Sequence, residues 1–163
     1  MKKATFLVTV FILGLIFAGG VFAEDKKDRL IVTSDKQSID YTQRLLVYEG
    51  NAKVVWREYT VEAEKVQVFL TKGDTLEKII AEGEVKISQG EKMQGFCQKV
   101  TYLVGEGILV FEGDVVYQDE RENKLQAQKV TVWIKEKKLQ AEGSPVTATY
   151  ILGGEEENVT GGE

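Results

Sequence analysis

Two short motifs recur along the chain at intervals of 30 to 34 residues, and this repeat constrains the fold more than any other feature of the sequence. The first motif reads EKVQVFL, QKVTYLV and QKVTVWI at residues 64–70, 98–104 and 128–134. The second motif begins with a Glu-Gly pair, at Glu49, Glu82, Glu112 and Glu142. Recurrence at a fixed period of this size is typical of proteins in which one supersecondary unit stacks on the next.

Within each repeat, apolar residues recur at every second position. The first series is Leu46, Tyr48, Gly50, Ala52, Val54 and Trp56, and similar series cover residues 79–87 and 109–117. A period of two is that of a β-strand, whose successive side chains point to opposite faces. Polar breaks suited to chain reversal separate the runs, at residues 72–74, 89–91, 105–107, 119–123 and 135–138. The sequence therefore predicts an all-β fold of antiparallel strands joined by hairpins.

The extended runs exceed the usual strand of about five or six residues, and the parity of their apolar positions changes part-way along. Val61 and Ala63 are followed by Val66 and Val68, and the third repeat shifts in the same way after Ala127. One added residue turns every later side chain to the other face unless the strand bulges there. We therefore predict long strands that bend at mid-length and stack into a pair of sheets over one apolar interior.

Side chains of matching parity in successive runs are the candidate interior residues. They are Leu46, Tyr48, Val54, Trp56, Ile79, Val85, Ile87, Leu109, Phe111, Val115 and Tyr117. Taken alone, these residues fit a closed, dry core at least as well as an apolar trough that holds a ligand.

A sheet that does not close into a barrel leaves two edge strands, which readily accept a further strand. The edges are predicted near Leu30–Tyr41 and Leu139–Tyr150. Pro145 has no N–H donor, so part of the last strand can pair on one side only. Because the two edges differ, we predict open-ended, head-to-tail association.

The first 23 residues have the features of a secretory signal peptide. Lys2 and Lys3 precede an apolar segment, and Val21 and Ala23 satisfy the small-residue rule at a cleavage point. The alternative is an uncleaved membrane anchor, because about 20 apolar residues can span a bilayer. We predict one β domain over residues 24–152, followed by a disordered acidic tail over residues 153–163.

Charge and composition exclude several functions. Without Lys2 and Lys3, 19 of the 21 basic residues remain against 26 acidic ones, a formal charge of −7 that disfavours nucleic acid as a partner. The chain has no His, and Cys97 is the only Cys, so neither an internal disulfide nor a His-based general base is available. Two groups of carboxylates lie close together in the sequence and could in principle act as acid and base. They are Glu62 with Glu64, and Asp119 with Glu120 and Glu122, and we interpret both groups as solvated surface. The sequence predicts a non-enzyme without a metal site or cofactor.

Several of these segments together resemble the LptA/OstA-like family of periplasmic lipopolysaccharide-transport proteins. They are VTSDKQSIDY at residues 32–41, the Glu-Gly units, Ala-Glu-Lys-Val at 63–66, Ala-Gln-Lys-Val at 127–130 and Gly-Ser-Pro-Val at 143–146. The resemblance covers about residues 30–150. It implies a slightly twisted, V-shaped antiparallel β-jelly roll whose open interior shields the lipid A acyl chains of lipopolysaccharide. With the resemblance, the apolar trough becomes the preferred interpretation of the interior residues.

The resemblance also implies a location and partners. Such proteins stack end to end in the periplasm, forming a bridge from an LptC-like inner-membrane protein to an LptD-like outer-membrane protein. One alternative is an LptC-like partner that keeps its N-terminal segment as an anchor, and another is a structural β-solenoid that polymerises without lipid. The segment around Phe96 and Cys97 has two residues more than its sister copies, which leaves the local register of this strand open.

Overall fold

The computed structural model describes residues 29–152, which form a single antiparallel sheet of ten strands. The strands are β1 (Leu30–Thr33), β2 (Lys36–Asp40), β3 (Leu45–Trp56), β4 (Tyr59–Leu70), β5 (Leu76–Gln89), β6 (Met93–Leu103), β7 (Ile108–Asp119), β8 (Lys124–Trp133), β9 (Lys138–Glu142) and β10 (Thr147–Thr149). The all-β prediction is confirmed. The predicted signal peptide (1–23) and acidic tail (153–163) lie outside the described residues. Over residues 29–152, no helix has the length and apolar composition needed to cross a membrane.

The strands stack in sequence order as eight rungs. Each of β3 to β8 is one rung, while β1 and β2 pair with the two halves of β3, and β9 and β10 pair with the two halves of β8. Both edge rungs are therefore split strands, and they lie where the sequence predicted the edges. The expected pair of sheets is corrected to one continuous sheet, because the strands bend at mid-length without being interrupted.

Every long strand changes register at its middle. In β3 to β8 in turn, the breaks fall between Glu49 and Ala52, Glu62 and Lys65, Glu82 and Val85, Phe96 and Lys99, Glu112 and Val115, and Ala127 and Lys129. The bulges predicted after Ala63 and after Ala127 are confirmed. In β5, Gly83 and Glu84 both have positive φ, and Gly83 lies against the side chain of Glu64 on β4. Gly takes such a backbone at a lower steric cost than residues with a Cβ. Gly50, Gly83 and Gly113 all have positive φ, which explains the Gly in the first three Glu-Gly units.

These breaks divide the sheet into two arms. The first arm contains β2, β9 and the halves of β3–β8 in line with them, and the second arm contains β1, β10 and the remaining halves. In β3, β5 and β7, two residues lie between the last paired residue before the bend and the first paired residue after it. Inward-facing side chains in these strands therefore stay at positions of the same parity on both sides of the bend. In β4, β6 and β8, one residue lies between the paired residues on either side of the bend. Inward-facing side chains in these strands therefore change from odd to even positions, as the sequence indicates.

The two repeated motifs meet across the strands beside the bend. The Lys of one motif lies directly opposite the Glu of the other, and Lys36 of β2 continues this row at the first edge. We call the row the Lys–Glu ladder. Its members in order are Lys36, Glu49, Lys65, Glu82, Lys99, Glu112, Lys129 and Glu142. Two of its ion pairs join Lys36 Nζ to Glu49 Oε2 at 3.1 Å and Lys99 Nζ to Glu82 Oε1 at 3.0 Å, on the partly exposed outer face. Opposite charges facing each other across strands stabilise a sheet by about 0.2–1 kcal/mol per pair.

The two additional residues expected around Phe96 and Cys97 do not lie there, because β6 departs from regular pairing only at the mid-strand break that its neighbours share. The break in β6 falls at the same rung position as those of its neighbours. The longer interval between the first two copies of the motif comes from the β4–β5 hairpin instead. There Leu70 pairs with Leu76 after an additional irregularity, whereas Leu103 pairs directly with Ile108 in the β6–β7 hairpin.

Candidate functional site

The bend brings both arms around one apolar core. Tyr48 and Val66 of the first arm and Val85 and Val115 of the second belong to a single cluster of buried side chains. Val66 and Val85 have no exposed surface. The arms therefore meet mainly through aliphatic and aromatic side chains.

Each arm contributes an inward-facing row that crosses every rung. The first-arm row is Ile39, Leu46, Val68, Ile79, Tyr102, Leu109, Val132 and Leu139. The second-arm row is Val32, Val54, Val61, Ile87, Gly95, Tyr117, Leu125 and Ala148. Neither row contains a charged residue. At one edge Ile39 is 45% exposed, whereas Val132 inside the stack is 1% exposed, so the apolar interior extends from the centre out to the edge.

The structure brings ten of the eleven candidate residues together in this interior. Tyr48, Val54, Val85 and Val115 are buried, while Leu46, Ile79, Ile87, Leu109, Phe111 and Tyr117 are partly buried against the core. Trp56 is the exception. It lies at the end of β3, is 36% exposed, and has the Arg57 guanidinium 4.8 Å from its ring centroid. Its parity is that of the inner face, but the strand extends beyond the core.

The even-numbered strands also contribute residues to the interior that the candidate set does not include. Val66, Val100, Val130, Val132 and Cys97 are all buried in the same cluster. The sequence signal for most of them is the alternating apolar run that follows the Lys of the first motif. In these strands the bulge moves the inner face from odd to even positions, so a series of constant parity does not identify the four valines.

A small cavity lies between the arms over β5–β9. Its volume is about 50 Å³, and its walls include Ile87, Cys97 and Tyr117 from the second arm and Phe111 and Leu139 from the first. Pockets that hold small-molecule ligands usually measure about 300–1,000 Å³. A lipid tail can therefore occupy this interior only if the arms separate.

Two titratable groups of the interior, Tyr117 and Cys97, are neutral at physiological pH because burial raises their pKa values. Burial raises the pKa of Tyr117 to about 12, and the charges of Asp119 and Tyr59 add to this shift. Burial also raises the pKa of the Cys97 thiol to about 11, against a smaller opposing effect of a backbone hydrogen bond from Lys99. In residues 29–152, no group of His, Cys, Asp and Glu side chains could hold a metal ion. The interior thus offers apolar contact and no charged chemistry.

We expect the Cys97 thiol of the folded protein to react with a disulfide reagent at pH 8 at least roughly 100-fold more slowly than after unfolding, because only the thiolate is nucleophilic. The residue is 4% exposed, and its raised pKa leaves little thiolate at that pH. Absorbance of the released thiol in native and urea-unfolded protein measures the two rates. Native and unfolded rates within a factor of a few would contradict the buried position.

Comparison with known proteins relates this architecture to a transport family. The model of the family described as LptA/(LptD N-terminal domain) LPS transport protein matches residues 31–161. The lipopolysaccharide export system proteins LptA of Escherichia coli K12 and of Shigella flexneri are each 24% identical over 137 residues, which cover 78% of this chain and 73% of theirs.

A solved structure has the same fold. The crystal structure of LptH, the LptA-homologous periplasmic component of the lipopolysaccharide transport device of Pseudomonas aeruginosa, superposes with a TM-score of 0.66 at 16% identity, covering 80% of this chain and 100% of that one. The V-shaped jelly-roll prediction is thereby confirmed. Because the family model spans most of the sequence, the chain belongs to the LptA/(LptD N-terminal domain) LPS transport protein family, whose members are transport proteins and not enzymes.

Proposed function

We propose that this protein carries lipopolysaccharide by holding its acyl chains between the two arms. The observation that supports this most strongly is that both inward-facing rows cross all eight rungs without a charged side chain. Transferring one CH₂ group from an apolar environment to water costs about 0.8 kcal/mol. A lipid with several long chains therefore needs continuous apolar cover outside a membrane. The two rows supply that cover from one edge of the sheet to the other.

Binding of the lipid acyl chains separates the two arms, which hinge at the mid-strand bend. The 50 Å³ cavity is too small for a hydrocarbon chain, and the core between the arms consists mainly of aliphatic side chains such as Val66 and Val130. Lipid tails can replace such contacts with others of the same kind. The excess of acidic residues does not attract a phosphorylated head group, so affinity comes from the interior.

The relatives support the substrate and the location. LptA of Escherichia coli is a lipopolysaccharide export system protein, and LptH is a periplasmic component of a lipopolysaccharide transport device. We infer the same substrate and compartment here, with residues 1–23 removed after Ala23. Mass spectrometry of the mature protein tests this, because a chain that starts at Glu24 excludes an N-terminally anchored LptC-like partner.

The exposed edges support assembly. Each edge rung has one side without a strand partner in residues 29–152, and such edges accept a further strand. Copies stack head to tail through β1/β2 and β9/β10, and the stack bridges an LptC-like inner-membrane protein and an LptD-like outer-membrane protein.

Photo-crosslinking tests the carrier role. A benzophenone amino acid is placed at Leu109 or at Tyr117, one in each inward-facing row, and at Val110 as the matched control. Val110 follows Leu109 on β7, so its side chain points to the outer face. After irradiation with purified lipopolysaccharide, we expect adducts at Leu109 and Tyr117 and about tenfold fewer at Val110, because successive strand residues face opposite sides. Equal labelling at all three positions, or none, would favour a scaffold that polymerises without lipid.

A further inference from the structure

We infer that successive copies of this chain join in one register, in which Glu142 of one copy lies directly opposite Lys36 of the next. This inference rests on the head-to-tail stacking proposed above. It adds the residues that fix how the two edges align.

The Lys–Glu ladder carries the argument. It alternates in sign at every rung, from Lys36 at one edge of the sheet to Glu142 at the other. Because the number of rungs is even, the two ends of the ladder carry opposite charges. A second copy added at either edge continues the alternation without placing like charges side by side.

Strand direction permits this junction. Neighbouring rungs are antiparallel throughout, so the first and eighth rungs run in opposite directions. A translated copy therefore presents its β1/β2 edge antiparallel to the β9/β10 edge before it. The junction repeats the pairing found within each copy.

The bend of the incoming edge also has the required spacing. Two residues separate Thr33 from Lys36 at the bend of the first rung, and two residues separate Gln126 from Lys129 at the bend of β8. Within one copy, the eighth rung pairs with β8 on both sides of this two-residue gap, through β10 on one side and β9 on the other. It meets the same spacing in β1/β2 of the next copy.

This register also aligns the other rows. With Glu142 opposite Lys36, Leu139 lies opposite Ile39 and continues the first-arm row, while Lys138 lies opposite Asp40 as a second pair of opposite charge. In the second arm, Ala148 lies opposite Val32 and continues the second-arm row. One register thus extends the ladder and both apolar rows together.

Other alignments lose these matches. A slip of two residues keeps each side chain on its face but places Glu142 opposite Ser38, and a slip of four places it opposite Asp40. A head-to-head pairing of two β2 strands about Ser38 sets Lys36 against Asp40 of the other copy, but the bends no longer coincide. Exposed ion pairs contribute little affinity, so the ladder selects the register while backbone hydrogen bonds hold the junction.

Single-cysteine proteins test the register in a Cys97→Ala background. Ser38→Cys protein is mixed with Gln140→Cys protein, whose cysteines lie directly opposite each other in the inferred junction. Directly opposite residues in antiparallel strands have Cα atoms about 4.5–5.5 Å apart, which a disulfide can bridge. We expect the oxidised mixture to form a mixed dimer in several-fold greater yield than either protein alone or than Ser38→Cys mixed with Lys138→Cys.

The possible outcomes separate this inference from the stacking itself. Dimers of Ser38→Cys protein alone would indicate head-to-head pairing, and preferred linkage to Lys138→Cys would indicate a slipped register; either result overturns the inference while association remains. If light scattering shows no self-association of the Cys97→Ala protein, the proposed stacking fails, and the register fails with it.

Charge reversal tests the ladder directly. Lys36→Glu in the Ser38→Cys protein, or Glu142→Lys in the Gln140→Cys protein, should lower the mixed-dimer yield about two- to fivefold, the range expected for one cross-strand charge pair. Combining the two reversed proteins should restore the yield. A defect confined to either monomer would not be rescued by a change in the other copy, so absence of rescue overturns the role of the ladder.

Discussion

Replacing Gly83 with Ala is expected to lower the free energy of unfolding by about 2–5 kcal/mol, combining backbone strain with overpacking. Gly83 has a φ of +84°, a conformation that residues with a Cβ adopt at a cost. An added Cβ would also lie 2.7 Å from the Cβ of Glu64 on the neighbouring strand. That atom is close to the backbone and cannot move aside as the end of a flexible side chain can. Urea denaturation followed by circular dichroism measures the change.

Two other glycines provide matched controls for the bend. Gly90 has a φ of +53° but no atom within 4 Å of an added Cβ, so Gly90→Ala carries strain alone, about 1–2 kcal/mol. Gly105 has neither a positive φ nor a close neighbour, and Gly105→Ala should leave the stability nearly unchanged. Equal losses in Gly83→Ala and Gly90→Ala would show that the strands do not approach closely at the bend.

Replacing Val66 with Asp is expected to remove about 3–5 kcal/mol, because it leaves an unpaired charge in an apolar interior. Val66 is fully buried, and its cluster consists of hydrophobic side chains. A loss of this size is a large share of the roughly 5–15 kcal/mol that stabilise a typical domain. We expect the variant to unfold at a much lower urea concentration than the parent protein at pH 7, which urea titration followed by near-ultraviolet circular dichroism would show.

The control for this variant lies at the surface. Val146, between β9 and β10, is 40% exposed, and Val146→Asp should change the stability by no more than about 0.5 kcal/mol. If Val66→Asp instead proved as stable as Val146→Asp, water would have to reach Val66, and the arms would be open in the lipid-free protein.

The sequence was sufficient to predict the strands, their bends and the two edges. The change of parity between Ala63 and Val66 marks a bulge because every later side chain would otherwise leave the core. The edges followed from where the repeats begin and end. These features depend on residues close together in the chain, so alternation alone indicates them.

Features that depend on how strands are offset or separated could not be predicted. The Lys–Glu ladder requires the pairing offset of each hairpin, and the β4–β5 hairpin differs from the others through its irregular Leu70–Leu76 pairing. The parity of Trp56 is that of a core residue, but parity does not show that β3 extends past the core. The volume of the interior depends on the angle between the arms, which no local pattern determines.

Each rung pairs only with rungs adjacent to it in sequence, from the split first rung to the split eighth. Folding rate rises as contacting residues come closer together along the chain, and linear stacks can nucleate at any unit and propagate from it. Once one hairpin has formed, its outer strand offers the backbone groups with which the next strand pairs. The polypeptide can therefore fold progressively from its N-terminal side, before its C-terminal residues are available to pair.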